Sequence, residues 1–286
     1  MAARKRLEVK KLMTDYTFTE LGKETRYSDC YDPSLLCPIP RAKARQSGDQ
    51  TDSLPFIGVD IWTAYELSWL NLDGLPQIAI VEFMIPYDSK SIVESKSFKL
   101  YLNSFIQTKF ASMEAVQSQL VKDISAATGA KVDVSLFELA EYQGIQPIAE
   151  PQGICIDSQS LVIDSYSPDS ELLTIQSENI VSETLYSHLL KTNCPVTDQP
   201  DWASIYIFYK GAKIDQAGLL KYIVSYRQHQ DFHEQCVEQI FSDIMAVCSP
   251  IELSVYARYM RRGGLDINPF RSTHILRPPL FRQVRQ

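Results

Sequence analysis

Two pairs of consecutive amphipathic helices, each flanked by alternating apolar strands, constrain this chain more than any other feature. In the first half, Phe98, Tyr101, Leu102, Phe105 and Ile106 recur at helical spacing from about Ser95, with Glu94 at the helix mouth. A second helix is predicted over 112–128, with Met113, Val116, Leu120 and Ile124 on one face and Gly129 ending it. The second half echoes this with helices over 215–229 and 232–248, the latter presenting Val237, Ile240, Phe241, Ile244 and Cys248. Apolar runs over 61–71 and 77–86, joined through Asp73-Gly74, predict a hairpin, and a strand follows over 131–139. Strands are also expected over 161–166, 172–176, 204–210 and 252–260, with a short amphipathic helix over 181–191. The fold class is therefore α+β, with antiparallel sheets that each carry two helices on one face.

Residues 1–55 read as an N-terminal arm with a mobile loop near 42–53. Residues 56–145 form a first module and 146–286 a second, divided in the Pro- and Gly-bearing stretch 143–159. A net charge of −7 argues against direct nucleic-acid binding, despite the arginines near the C-terminus. No apolar run approaches the roughly 18 residues that span a membrane, and the basic N-terminus lacks a secretory apolar core. Six cysteines without C-x-x-C spacing fit a reducing cytoplasm and no structural metal. Neither a dinucleotide-binding glycine fingerprint nor a P-loop is present, so any nucleotide cofactor is held by other means.

Four clusters could carry chemistry. Cys194 lies on a turn pinned by Pro195, with Asp201 seven residues on. Glu94 and Glu234 each stand at a helix mouth. There a carboxylate either favours the helix N-terminus or accepts two hydrogen bonds from a guanine-like base edge. His233 adjoins Glu234 and either packs or moves protons. Lys96, Arg261 and Arg262, the last followed by Gly263-Gly264, suit either solvent or a phosphate-bearing cofactor.

Taken together, Glu94-Ser95-Lys96-Ser97-Phe98-Lys99-Leu100-Tyr101, the Cys194 to Asp201 turn, Phe232-His233-Glu234 and Arg261-Arg262-Gly263-Gly264-Leu265-Asp266-Ile267-Asn268-Pro269 resemble a known family. It is that of the NADPH-dependent nitrile reductases of queuosine biosynthesis, the 7-cyano-7-deazaguanine reductases, in their two-module long form. The likeness runs from about Thr19 to Gln286. It implies tandem tunnelling-fold modules, a cytoplasmic homodimer, NADPH as cofactor and a small 7-deazaguanine substrate. It further implies that Cys194 forms a covalent thioimide with the nitrile, with Asp201 and His233 handling protons. Val93, Glu94, Ser95, His233 and Glu234 would surround the substrate, and Ser95, Lys96, Arg262 and Gly263 the NADPH. Two other readings stay open: a thiol nitrile hydrolase using Cys194, Glu94 and Lys96, and a non-catalytic purine-binding module in which Cys194 is merely packed.

Overall fold

The computed structural model describes residues 27–45, 54–149, 152–274 and 278–286. In chain order its regular elements begin with β1 (Pro38–Pro40), α1 (Ala42–Arg45), β2 (Ile57–Leu70), β3 (Pro76–Pro86) and β4 (Ser91–Val93). They continue with α2 (Ser95–Asn103), α3 (Met113–Thr128), β5 (Asp133–Phe137), α4 (Leu139–Ile145) and β6 (Ile154–Cys155). The remainder are β7 (Ile175–Asn193), β8 (Pro200–Ile214), α5 (Gln216–Ser225), α6 (His233–Cys248), β9 (Glu252–Tyr259) and β10 (Leu265–Ser272).

Eight strands make one sheet in the order β5-β3-β2-β10-β9-β8-β7-β6, and β1 pairs β4 apart from it. Neighbours in the large sheet run antiparallel except β6 beside β7. The hairpin between β2 and β3 turns on Asn71, whose Oδ1 accepts from the N–H groups of Asp73 and Leu75, and on Gly74 at φ 89°. The last strand, β10, lies between β2 and β9 and so sews the two halves into a continuous surface.

Each half buries its helix pair on one sheet face. Phe98, Tyr101, Val116, Leu120 and Ile124 pack with Trp62, Val81 and Phe83. Leu219, Ile223, Val237, Ile240 and Ile244 pack with Leu185, Ile205, Ile207 and Val255. This is the α+β tunnelling-fold arrangement expected of the sequence. α3 ends at Gly129 (φ 68°), as predicted, and is capped at its start by Ser112 Oγ accepting from Ala115 N–H at 3.3 Å. On the opposite sheet face Ile61, Tyr206, Tyr256 and Phe270 form a smaller cluster under Phe281.

Several sequence expectations fail in the second half. The stretch 181–191 is not a helix; it lies inside β7, a 19-residue strand paired along its length with β8. Residues four apart share a face in a helix and in a strand alike, so Val181, Leu185 and Leu189 fit both patterns. A register shift between Ser187 and Leu190 then turns Leu190 inward and leaves Leu189 43% exposed. No strand forms over 161–166, and 172–176 holds the end of a 3₁₀ turn followed by the start of β7. The supposed loop 143–159 contains the end of α4 and β6. Of the supposed mobile loop 42–53, residues 42–45 are α1 and 46–53 lie outside the described residues. No described helix is long and apolar enough to cross a membrane.

Candidate active site

The thiol sits in the hairpin turn between β7 and β8, not in a helix-to-strand turn as the sequence suggested. Within that turn Cys194 N–H donates to Gln199 O at 2.9 Å and Asp198 N–H to Cys194 O at 3.1 Å, with Asp198 at φ 57°. The turn is tied to the approach to α6: Asn193 N–H donates to His229 O at 2.8 Å and Asp231 N–H to Asn193 O at 3.2 Å. These bonds hold the sulfur beside the helix mouth that carries His233 and Glu234. Cys194 is 7% exposed and borders a cleft of about 530 Å³, mouth included, that opens between the N-terminal ends of α2 and α6.

The cleft brings together most of the residues named from the sequence. Val93, Ser95, Cys194, Asp201, His233, Glu234 and Arg262 line it, whereas Glu94, Lys96 and Gly263 do not. Asp201, at the start of β8, forms an ion pair through Oδ1 with Arg262 and lies 3.5 Å through Oδ2 from His233 Nε2. Arg262 also donates to the carbonyls of Gln199 and Pro200, each at 3.2 Å. His233 directs Nδ1 to the Ile267 carbonyl at 3.3 Å. A carbonyl can only accept, so Nδ1 carries the hydrogen and Nε2 faces Asp201.

The two helix-mouth glutamates differ. Glu94 caps α2, its Oε1 accepting from Lys96 N–H at 2.6 Å and its Oε2 from Ser97 N–H at 2.8 Å. Burial raises its pKa, and those two N–H bonds and nearby lysines act against the rise. Glu234 is 2% exposed with Oε1 unpaired. Its pKa is pushed up to about 7 by burial first and then by the Asp60 carboxylate, with Arg41 and His233 opposing. Asp60 is itself held charged by Arg41 and Arg271.

Lys99 and Trp62 are among the lining residues to which sequence reasoning assigned no role. Lys99 is the second cation of this lining, beside Arg262. Burial foremost, then the Arg262 charge, lowers its pKa to about 8. It stands one turn from Lys96 inside the quoted motif, and that spacing was an available signal. Gly263, at φ 58°, lets the backbone lie against it: a Cβ there would fall 3.1 Å from Lys99 Nζ. Trp62 lines the cleft as well, and its indole N–H is buried without an acceptor. Nothing in an apolar run marks such a residue beforehand. The three residues of the hydrolase reading do not line the cleft together: Cys194 borders it, and Glu94 and Lys96 do not.

Comparison with known proteins identifies the family. Residues 27–136 match the family model described as nitrile reductase, 7-cyano-7-deazaguanine-reductase N-term, and residues 200–277 match that of a QueF-like protein. The NADPH-dependent 7-cyano-7-deazaguanine reductase of Cupriavidus metallidurans is 56% identical over 265 residues, 92% of this chain and 95% of that protein. Its counterpart in Burkholderia ambifaria is 56% identical over 255 residues, 89% of this chain and 93% of that protein. The chain belongs to the family of NADPH-dependent 7-cyano-7-deazaguanine reductases.

Proposed function

We propose that this chain reduces the nitrile of 7-cyano-7-deazaguanine to the primary amine through a thioimide on Cys194, within queuosine biosynthesis. The observation that carries the reading is the convergence of Cys194, Asp201, His233 and the unpaired Glu234 on one cleft. Glu234, whose Oε1 is a buried orphan acceptor, and Trp62, whose indole N–H is a buried orphan donor, line the same cleft. Such groups cost about 1–3 kcal/mol each until a ligand pairs them. A heterocycle with N–H and C=O on adjacent atoms meets both demands.

A nitrile is a poor hydride acceptor until something adds to its carbon. The Cys194 S–H adds across the C≡N bond: sulfur bonds carbon, nitrogen gains a proton, and no electrons are gained or lost. Asp201 and His233, 3.5 Å apart, carry the proton from sulfur towards nitrogen. Glu234 accepts from the base, beside Val93, Ser95 and His233. Glu94 does not line the cleft but adjoins the lining residues Val93 and Ser95, and it is proposed to serve the same subsite through the further lone pair that each capped oxygen keeps.

Lys99 and Arg262 in the cleft, Ser95 and Lys96 in the first turn of α2 and the Cβ-free Gly263 fit an anionic dinucleotide without any glycine-rich loop. NADPH bound there would supply hydrides, two molecules for the four electrons between nitrile and amine. The residues of 56–145 and 146–286 are proposed to be the two modules, and the assembly a cytoplasmic homodimer that binds no nucleic acid directly. Among the described residues β5 is an outermost strand, and an open edge of that kind favours pairing with a second copy.

Incubation with 7-cyano-7-deazaguanine alone should add the ligand's mass to the protein at Cys194, and Cys194→Ala should neither gain that mass nor turn over. Nitrile reduction by Cys194→Ala would remove the thioimide. Ammonia release without NADPH consumption would favour hydrolysis instead.

A further inference from the structure

Tyr259 is assigned no part in the reaction so far, yet its ring lies flat against the His233 imidazole. The ring centroids are 3.6 Å apart and the planes differ by 4°. Tyr259 is fully buried at the end of β9 and its backbone is fixed on both sides. Its N–H donates to Asn268 Oδ1 at 3.0 Å, and its carbonyl accepts from Gln286 Nε2 at 3.0 Å. The tyrosine is therefore a rigid shelf, while His233 is the first residue of a helix and 15% exposed at its side chain.

Two restraints act on the imidazole. The Ile267 carbonyl, 3.3 Å from Nδ1, selects the Nδ1–H tautomer. The phenol face blocks rotation about Cβ–Cγ, which would drive the imidazole through the Tyr259 ring. Together they leave one direction for Nε2, towards Asp201 Oδ2 at 3.5 Å. Face-to-face stacking is not the arrangement two electron-rich rings prefer, but an electron-rich face attracts a ring that turns cationic. The shelf therefore suits an imidazole that takes a proton in passing.

We propose that Tyr259 is a positioning residue for nitrile reduction, whose ring, with the Ile267 carbonyl, holds His233 so that Nε2 is presented to Asp201. The inference rests on the reading of His233 and Asp201 as the proton-handling pair. The step it serves is the addition already written: the proton leaving sulfur reaches the nitrile nitrogen through these two groups, with no redox change.

The ring and not the hydroxyl should matter. Tyr259→Phe is expected to keep adduct formation and kcat within about threefold of the parent. Tyr259→Leu is expected to lose about 10–100-fold in kcat, the scale of a misplaced proton-transfer group, with the KM for 7-cyano-7-deazaguanine little changed. In proteins labelled with ¹⁵N-histidine, His233 of the parent and of Tyr259→Phe should show a single Nδ1–H tautomer. In Tyr259→Leu the two tautomers should average. Loss of core volume could unfold Tyr259→Leu, so the unaltered protein supplies a second measurement. There the His233 ring protons, assigned against His233→Asn, should be shifted upfield by the Tyr259 ring current.

A folded Tyr259→Leu with parental kcat and one tautomer would overturn the proposal, as would parental His233 protons at ordinary shifts. If the parent protein forms no adduct with the nitrile at all, the underlying reaction fails, while the tautomer and ring-current results still report on the geometry.

Discussion

Glu94 and Glu234 stand at the mouths of two helices, α2 in the first half and α6 in the second, and the chain uses them differently. Glu94 returns both oxygens to the N–H groups of its own first turn. Glu234, the second residue of α6, is too far into the helix to cap it, and Phe232 at the cap position makes no side-chain bond. Its Oε1 is buried and unpaired, in the field of the Asp60 carboxylate that Arg41 and Arg271 hold. A shift of one or two positions along the chain thus separates a carboxylate that stabilises its helix from one that waits for a ligand.

The largest effect should follow from Glu234→Gln. Losing charge-assisted hydrogen bonds to the base, at about 1.5–3 kcal/mol each, weakens 7-cyano-7-deazaguanine binding about 10–150-fold. Stability should hold or rise, since an unpaired buried charge is removed. Titration calorimetry and a thermal melt read the two together. The pH dependence follows from the same group. With a pKa of about 7, Glu234 is an acceptor above that value and protonated below it, so affinity should fall as pH drops from 8 to 5.5. In Glu234→Gln that slope should vanish; a variant that kept it would place the titration elsewhere.

The reverse profile is expected of Glu94→Ala. Removing an N-cap costs about 0.5–2 kcal/mol, a few degrees in Tm. The loss of ligand affinity should be smaller than in Glu234→Gln. Equal losses in both variants would erase the distinction drawn between the helix mouths.

How legible all this was depends on the half. The first half was read more closely: the hairpin and both long helices rest on local signals such as Asp73-Gly74, Glu94 and Gly129, while β1, α1, β4 and α4 went unpredicted. The second half was harder because β7 takes its conformation from β8, up to 39 positions away, and residues at i and i+4 do not tell helix from strand. β10 escaped notice for a related reason. Pro269 argues against a central strand, and Asp266 and Asn268 look solvent-facing, yet both are buried, Asp266 by Tyr65 and Asn268 by Gln286. The candidate site was legible as motifs, because its residues cluster at turns and helix mouths. What no motif conveyed was which of them border the cleft, since that depends on β10 joining the halves.

The smallest predicted effect concerns the cation beside Gly263. Lys99 is charged below about pH 8 and loses its proton above it, because burial and the neighbouring Arg262 both oppose the charge. Cofactor phosphates are anionic throughout that range, so NADPH affinity should decline as pH rises from 7 to 9, the opposite slope to that of the base. One partly screened cation–phosphate contact is worth at most about 1 kcal/mol, so the decline should be about threefold to fivefold. Lys99→Met should bind NADPH weakly and without that slope, while its affinity for 7-cyano-7-deazaguanine stays near that of the parent. Opposed slopes for base and cofactor, each removed by its own substitution, would show that one cleft is tuned by two groups from different halves. A common slope would mean that a single group governs both.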